Sequence, residues 1–324
     1  MRIKIWGSRG SLPAPYSPDA LFSRVQGLMN GFFDAGFQSR SDISRFLDYY
    51  GLPQVGGYGG NTPCLEVSDE KTQIIIDGGS GIRLLGYEMM NGLSGRGKGE
   101  IHILFTHFHW DHLMGLPFFT PFFIPGNRIH IYAVQPELPM VFQTVFRKPF
   151  FPVPLEQLPS KIEYHRLQPR KTQKIGDIQF TPYQLDHPDP CWGFRFESNG
   201  KVFSHCVDTE AIRVSQEELG PDLPLYQGVD LMVFDAQYTL METIEKINWG
   251  HAAASIGLDL AMREGVKRVL FMHHDPASSD EKIAIAEKEA RRYYESQLKI
   301  ASRKGLTLHP VQWEFAHEGM VIDL

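Results

Sequence analysis

Residues 101–112 read IHILFTHFHWDH. The apolar run IHILF has the length and composition of a buried strand. Four ligand-type side chains follow it within six positions: His107, His109, Asp111 and His112. On an extended segment, residues i and i+2 point to the same side. His107 and His109 therefore face one point just past the strand end. Asp111 and His112 come where the chain must turn, which aims them at a neighbouring point. Two ligand groups on one loop suit two metal ions roughly 3.5–4 Å apart, the spacing of two-metal hydrolytic sites. Phe108 and Trp110 alternate away from the first pair and are expected to pack beneath the loop.

Two ions need more than four ligands, and the later chain offers them. His187 stands in QLDHPDPCWGF, Asp208 in SHCVDTE, and His273 and His274 in VLFMHHDP. Each lies at or just beyond the end of a predicted strand. Taken singly, His187 reads equally well as a structural histidine and Asp208 as a turn residue. Taken with the first cluster they complete a His/Asp set, in which a carboxylate such as Asp208 can bridge two cations.

The surrounding pattern is that of a packed α/β chain. Of 324 residues, 42% are hydrophobic and 22% charged, as expected for a core-forming domain. Strands are predicted at RIKIW, at 64–67, 73–77, 101–105, 128–134, 178–185, 193–197, 201–207, 230–236 and 268–272. A helix is predicted over 82–90, another over 252–264 ending at Gly265, and a third from about 279 to 304. The last is introduced by Ser278-x-x-Glu281, a capping-box pattern, and stopped by Gly305. Two stretches do not read as routine connectors. Residues 12–57 hold two predicted short helices. Residues 116–154 are dense in Phe and Pro, which suits either core or a lid, substrate wall or dimer face.

A formal net charge of −6 argues against a globally basic surface for nucleic acid. No signal peptide and no apolar run of membrane-spanning length is visible. Cys64, Cys191 and Cys206 are scattered, with no CxxC, and are expected to be buried free thiols in a reducing compartment. The sequence thus reads as cytoplasmic.

The full HxHxDH pattern at His107, His109, Asp111 and His112 resembles the signature of the metallo-β-lactamase superfamily. WGSRGSLP (6–13), YGGNTPCLEV (58–67), IDGGSGIRLLG (76–86), VDTE (207–210), GHAAASIGLDLA (250–261) and HHDP (273–276) look like its phosphodiesterase branch, which includes ribonuclease Z and cyclic phosphodiesterases. The resemblance covers nearly the whole chain. It implies a four-layer αββα sandwich formed by residues 1–324 as one domain, with insertions at about 12–57 and 116–154. It also implies metal roles. His107, His109 and His187 would hold one ion, and Asp111, His112 and His273 the second, with Asp208 bridging. His273 comes first after VLFM, where the family places its last ligand, and is preferred to His274. Asp77 matches a family acid near the site and reads equally as a turn residue. His251 matches a histidine beside the scissile phosphate. Asp111, Asp208 and His251 are the expected catalytic residues. His102, His130, His165, His205, His309 and His317 carry no motif and are read as structural or surface residues.

The chemistry expected from this set is hydrolysis by a hydroxide shared between two divalent cations, zinc first and Mn²⁺ as the alternative. A small phosphodiester such as a cyclic nucleotide is the favoured substrate, and a homodimer is the assembly expected from relatives. Nucleic acid is the less favoured partner and a membrane is not expected. The alternatives are tRNA 3′-processing, as in ribonuclease Z, and ester hydrolysis of the lactonase or glyoxalase II kind. The first would favour a basic arm, which is not visible. The second shares HxHxDH without the GSRGS, GGNT and HHDP context.

Overall fold

The computed structural model describes the chain from Met1 to Leu324, save the side chains of Leu52 and Gln54. Six strands come first: β1 (Arg2–Gly7), β2 (Cys64–Ser68), β3 (Gln73–Ile76), β4 (Glu100–Leu104), β5 (Arg128–Ala133) and β6 (Lys161–Arg166). Then follow β7 (Gln173–Ile175), β8 (Ile178–Gln184), β9 (Trp192–Ser198), β10 (Lys201–Cys206), β11 (Leu231–Asp235), β12 (Arg268–Met272) and β13 (Gln312–Phe315). The last strand, β14 (Val321–Asp323), returns to pair with β1.

Two seven-stranded sheets result, in the orders β14-β1-β2-β3-β4-β5-β6 and β13-β12-β11-β10-β9-β8-β7. Each is antiparallel in one half and parallel in the other. β3 to β6 run parallel in the first sheet, and β10 to β13 in the second. Parallel neighbours end on the same side, so the loops after β4, β10 and β12 can meet at one rim.

The layering follows from strand alternation. Ile3, Ile5, Leu65, Val67, Ile76 and Leu104 of the first sheet pack on Phe194, Phe196, Phe203, Val233, Leu270 and Met272 of the second. The opposite face of the first sheet buries Ile101, Ile103, Ile129 and Ile131 under the helices Ile82–Met89 and Leu138–Val145. The outer face of the second buries Met232, Phe234, Val269 and Phe271 under the helices Ala254–Glu264 and Asp280–Lys304. Helix, sheet, sheet and helix thus stack as the expected αββα sandwich.

Several local expectations change. β6, β7, β13 and β14 were not anticipated, because edge strands carry charged side chains that blur the apolar alternation. The long helix is capped by Ser279, whose side chain accepts from Lys282 N, and not by a Ser278–Glu281 box. Asp280 and Glu281 fall in its first turn, where the helix dipole favours them. The helix predicted from Ala252 begins at Ala254, and His251 lies ahead of its cap Ala253. The side chain of Asp235 ties His251 and the backbone of Ala252 in an extended lead-in. Within 116–154, residues 128–133 form β5 between β4 and β6, and Phe119, Phe122, Phe142 and Phe146 are fully buried. Most of that aromatic stretch is therefore sheet and core. The 12–57 stretch forms the helices Pro18–Asp34, longer than expected, and Ile43–Gly56. Among the described residues no helix is long and apolar enough to cross a membrane.

Candidate metal centre

Asp77, Asp208 and His273 follow β3, β10 and β12, and all three take positive φ, at 63°, 63° and 69°. Asp and His tolerate this region better than most residues, yet three cases at one rim mean that the surrounding structure imposes the turn. Each turn bends the chain sharply off its strand and drives the side chain into the rim. Residues 110–112 form a single 3₁₀ turn, which interrupts the alternation of the preceding segment. Trp110 is accordingly 62% exposed and does not pack beneath the loop, whereas Phe108 packs partly against the Phe-rich core.

The rim gathers all seven expected ligands. Candidate ligand atoms of His107, His109, His187 and Asp208 lie within 4.8 Å of one another, as do those of Asp111, His112, Asp208 and His273. Asp208 belongs to both groups. Its Oδ2 is 3.1 Å from His107 Nε2 and 2.8 Å from His112 Nε2, and its Oδ1 is 2.9 Å from His273 Nε2. Asp111 Oδ2 lies 3.2 Å from His273 Nε2 and accepts the amide of Ser11 at 2.8 Å. His274 points elsewhere, its Nε2 donating to Ala316 O, so of the adjacent pair only His273 enters the cluster.

Each ring is oriented through its other nitrogen. His112 Nδ1 pairs with Asp77 Oδ2 at 2.8 Å, and His107 Nδ1 meets Thr106 Oγ1 at 3.1 Å. Thr106 Oγ1 donates in turn to Asp77 Oδ2, and its amide donates to Asp77 Oδ1. One buried carboxylate thus sets two ligand rings, one directly and one through a hydroxyl. His187 Nδ1 bonds the carbonyl of Asp189, His273 Nδ1 bonds Gln237 Oε1 at 2.7 Å, and His109 Nε2 bonds Asp189 Oδ2. Such partners fix the tautomer and aim the free lone pair inward. His251 stands at the margin, with Nδ1 2.9 Å from Asp235 Oδ2 and 3.9 Å from Asp208 Oδ1.

These residues fit divalent cations on two counts. His107 Nε2, His112 Nε2, His187 Nε2 and Asp208 Oδ1 are buried with no aligned hydrogen-bond partner among the described residues. Left so, each would cost about 1–3 kcal/mol. They approach one another at short range without hydrogen-bond alignment, as donors around a shared centre do. The second count is charge. Burial alone would lower His273, yet Asp208 and Asp111 push it up to about 10, and His112 likewise rises well above the ordinary imidazole value against its burial. Burial would raise Asp208, but His273 and His112 hold it well below the usual carboxylate range. Carboxylates thus favour positive charge at His112 and His273, while burial lowers His107 to about 4 and also lowers His187. Imidazole and carboxylate donors without a thiolate suit Zn²⁺ or Mn²⁺.

Sequence reasoning missed Asp235, Gln237, Asp189, Thr106 and Ser11. Cys191 lies with Sγ 3.7 Å from His107 Nδ1. Asp235 ends a predicted strand, as Asp77 does, and that placement was the available signal. The three cysteines are free and buried as expected. His205 is wholly buried in the layer between the sheets, neither ring nitrogen having a partner among the described residues, and burial lowers it to about 4.

The family model described as "Beta-lactamase superfamily domain" matches residues 72–274. A ribonuclease Z of Azobacteroides pseudotrichonymphae genomovar. CFP2 is 25% identical over 242 residues, 62% of this chain and 78% of that protein. Zinc-bound PqqB from Methylobacterium extorquens shares the fold at a TM-score of 0.63 and 16% identity, with 100% of each chain covered. A diphosphatase of the PhnP family does so at 0.57 and 17%, covering 100% of this chain and 97% of that one. With the αββα layers and the complete HxHxDH set in place, the chain belongs to the metallo-β-lactamase superfamily, in the branch that includes ribonuclease Z.

Proposed function

We propose that the protein hydrolyses a small phosphodiester, of the cyclic nucleotide kind, at two divalent cations. His107, His109 and His187 would hold one, and Asp111, His112 and His273 the other, with Asp208 shared. The observation that carries this is the convergence of three unpartnered, buried ring nitrogens on one buried carboxylate. Bound cations supply Lewis acidity and a nucleophilic water at working pH. The chain's own residues supply orientation and a proton. Asp77 fixes His112 and, through Thr106, His107. The Ser11 amide holds Asp111 in place. Asp235 accepts from His251 Nδ1, which leaves the opposite nitrogen to carry a proton to the departing oxygen.

The surroundings favour a compact substrate with a flat apolar group. Leu12, Trp110, Ile212 and Trp249 are all more than half exposed. Leu12 adjoins Ser11, which bonds Asp111. Trp110 sits between His109 and Asp111. Trp249 precedes Gly250, which packs against His187 so closely that a Cβ there would clash with the ring. A nucleobase stacks on such aromatic surfaces, typically for about 1–3 kcal/mol.

Zinc is the proposed ion, with Mn²⁺ as alternative, and the cytoplasm the proposed setting. A homodimer is the proposed assembly. The chain is taken as one hydrolase domain elaborated at 12–57 and around β5. A second reading, tRNA 3′-processing, draws support from the ribonuclease Z relative. Purified, metal-loaded protein assayed on bis-p-nitrophenyl phosphate, cyclic nucleotides, a tRNA precursor and a homoserine lactone separates the readings. Turnover of cyclic nucleotides is expected. Cleavage of the tRNA precursor alone would replace the first reading with the second, and activity on the lactone alone would end both.

A further inference from the structure

The inner face of the first sheet carries a second cluster, remote from the rim. The register of β4, β5 and β6 aligns His102, His130 and Glu163. Glu100, Arg128 and Lys161 lie two residues earlier on the same face, and Tyr132 and His165 two residues later. His102 precedes His107 by five residues. At roughly 3.3 Å per strand residue the two clusters are on the order of 15 Å apart.

His130 is buried, and its Nε2 is bonded to Glu100 Oε1. With that nitrogen donating, Nδ1 of the neutral ring carries the lone pair. Nδ1 lies 2.9 Å from His165 Nε2 and 3.6 Å from Glu163 Oε2. Lys161 Nζ and Arg128 Nη2 both engage the other oxygen, Glu163 Oε1, at 2.7 and 3.1 Å. Oε2 is thereby left facing the two rings. His102 stacks on His130 and is itself tied to the Tyr132 hydroxyl, which steadies the ring. Candidate ligand atoms of His130, Glu163 and His165 lie within 4.8 Å of one another.

Two ligands bound tetrahedrally at roughly 2.0–2.1 Å from zinc stand roughly 3.3 Å apart. The observed 2.9 and 3.6 Å bracket that spacing. A carboxylate on the distal nitrogen of a ligating histidine is the usual orienting partner, and Glu100 occupies that place. We infer that His130 Nδ1, His165 Nε2 and one oxygen of Glu163 form a third cation site, for a divalent transition ion such as Zn²⁺. Binding replaces the His130–His165 hydrogen bond with two metal–nitrogen bonds, and the His165 proton moves from Nε2 to Nδ1. The ion then clamps the edge strand β6 to β5. Arg128 and Lys161 engage Oε1 of Glu163, and its Oε2 completes the site beside the two imidazoles.

The test counts ions. The full chain is dialysed against micromolar zinc and its metal content measured per chain, for the unmodified protein and for His165→Ala. The unmodified protein is expected to hold one ion more than the variant. This difference reads the third site whatever number the HxHxDH cluster retains, so a failure there is separate from a failure here. His102→Ala is expected to keep the extra ion, and Glu163→Gln to lose it at the same zinc concentration with turnover of bis-p-nitrophenyl phosphate unchanged. If His165→Ala does not fold, Glu163→Gln carries the comparison. Equal zinc contents in the unmodified protein and the folded variant would overturn the proposal.

Discussion

The ligand loops and the helical pair at 18–56 are held in opposite ways. At the rim, Asp208, His107, His112 and His273 are buried, and each ligand ring is fixed through its second nitrogen. In the helical pair, the helix Pro18–Asp34 buries no residue, and Phe22 is 70% exposed. Its aromatic side chains pack mainly on one another, as Phe32 does on Phe37 and Phe46. Its tie to the rest of the chain centres on Asp280, which meets Arg24, the Tyr16 hydroxyl, Arg9 and the amide of Tyr58. The rim is over-determined by many short polar contacts. Among the described residues, the helical pair meets the long helix through the ionic contacts of Asp280. A perturbation at the rim should therefore appear in chemistry, and one at those contacts in stability.

Metal removal should show this contrast most strongly. Dialysis against a chelator is expected to abolish phosphodiester turnover while leaving the 18–56 segment as resistant to protease as before. If turnover survives complete chelation, the rim is not a metal centre. Next in size is His251→Ala, for which retained metal and a roughly 10²–10⁴-fold fall in turnover are expected. Loss of metal in that variant would make His251 a ligand and not a proton donor. Asp77→Ala removes the orienting partner of two rings, and metal affinity should fall roughly 10–100-fold. An unchanged affinity would show that packing alone sets the rings.

Asp280→Ala addresses the other side of the comparison. It removes the carboxylate shared by Arg9 and Arg24, leaving Arg9 its bonds to the carbonyls of Gly59, Asp275 and Ser278, and should cost about 1–3 kcal/mol of stability with turnover retained. Limited proteolysis should then cut first within 18–56. A loss of turnover as large as that of His251→Ala would mean that the helical pair serves the reaction. The smallest effect concerns acid. Burial would raise the Asp280 carboxyl, but bonds from Tyr16, Tyr58 and Arg24 hold it below the usual carboxylate value. A depressed folded-state value contributes stability above the unfolded value and loses it as pH falls toward the folded one. Protease sensitivity at 18–56 should therefore rise below about pH 4.

The rim was legible because its chemistry is local. HxHxDH compresses four ligands behind one strand, and His187, Asp208 and His273 each follow a strand that apolar runs had already marked. What escaped was whatever depends on pairing at a distance. Asp235 and Gln237 orient His251 and His273 across the rim, and no short spacing encodes that. Edge strands such as β6 were hidden by charged residues, and those same residues form the His130 cluster. His130 and His165 carry no motif because they meet only through strand register. Ser278-x-x-Glu281 reads as a capping box, and the folded chain caps the helix with Ser279 instead.

Asp208 is proposed to join two cations. Metal content and turnover of bis-p-nitrophenyl phosphate, measured together on the unmodified protein and on Asp208→Ala, test it most directly. A folded variant is expected to have lost metal from both ligand groups, with turnover reduced well beyond the roughly 10–100-fold expected for an orienting residue. A variant that keeps the full metal complement and its turnover would contradict the shared-carboxylate centre.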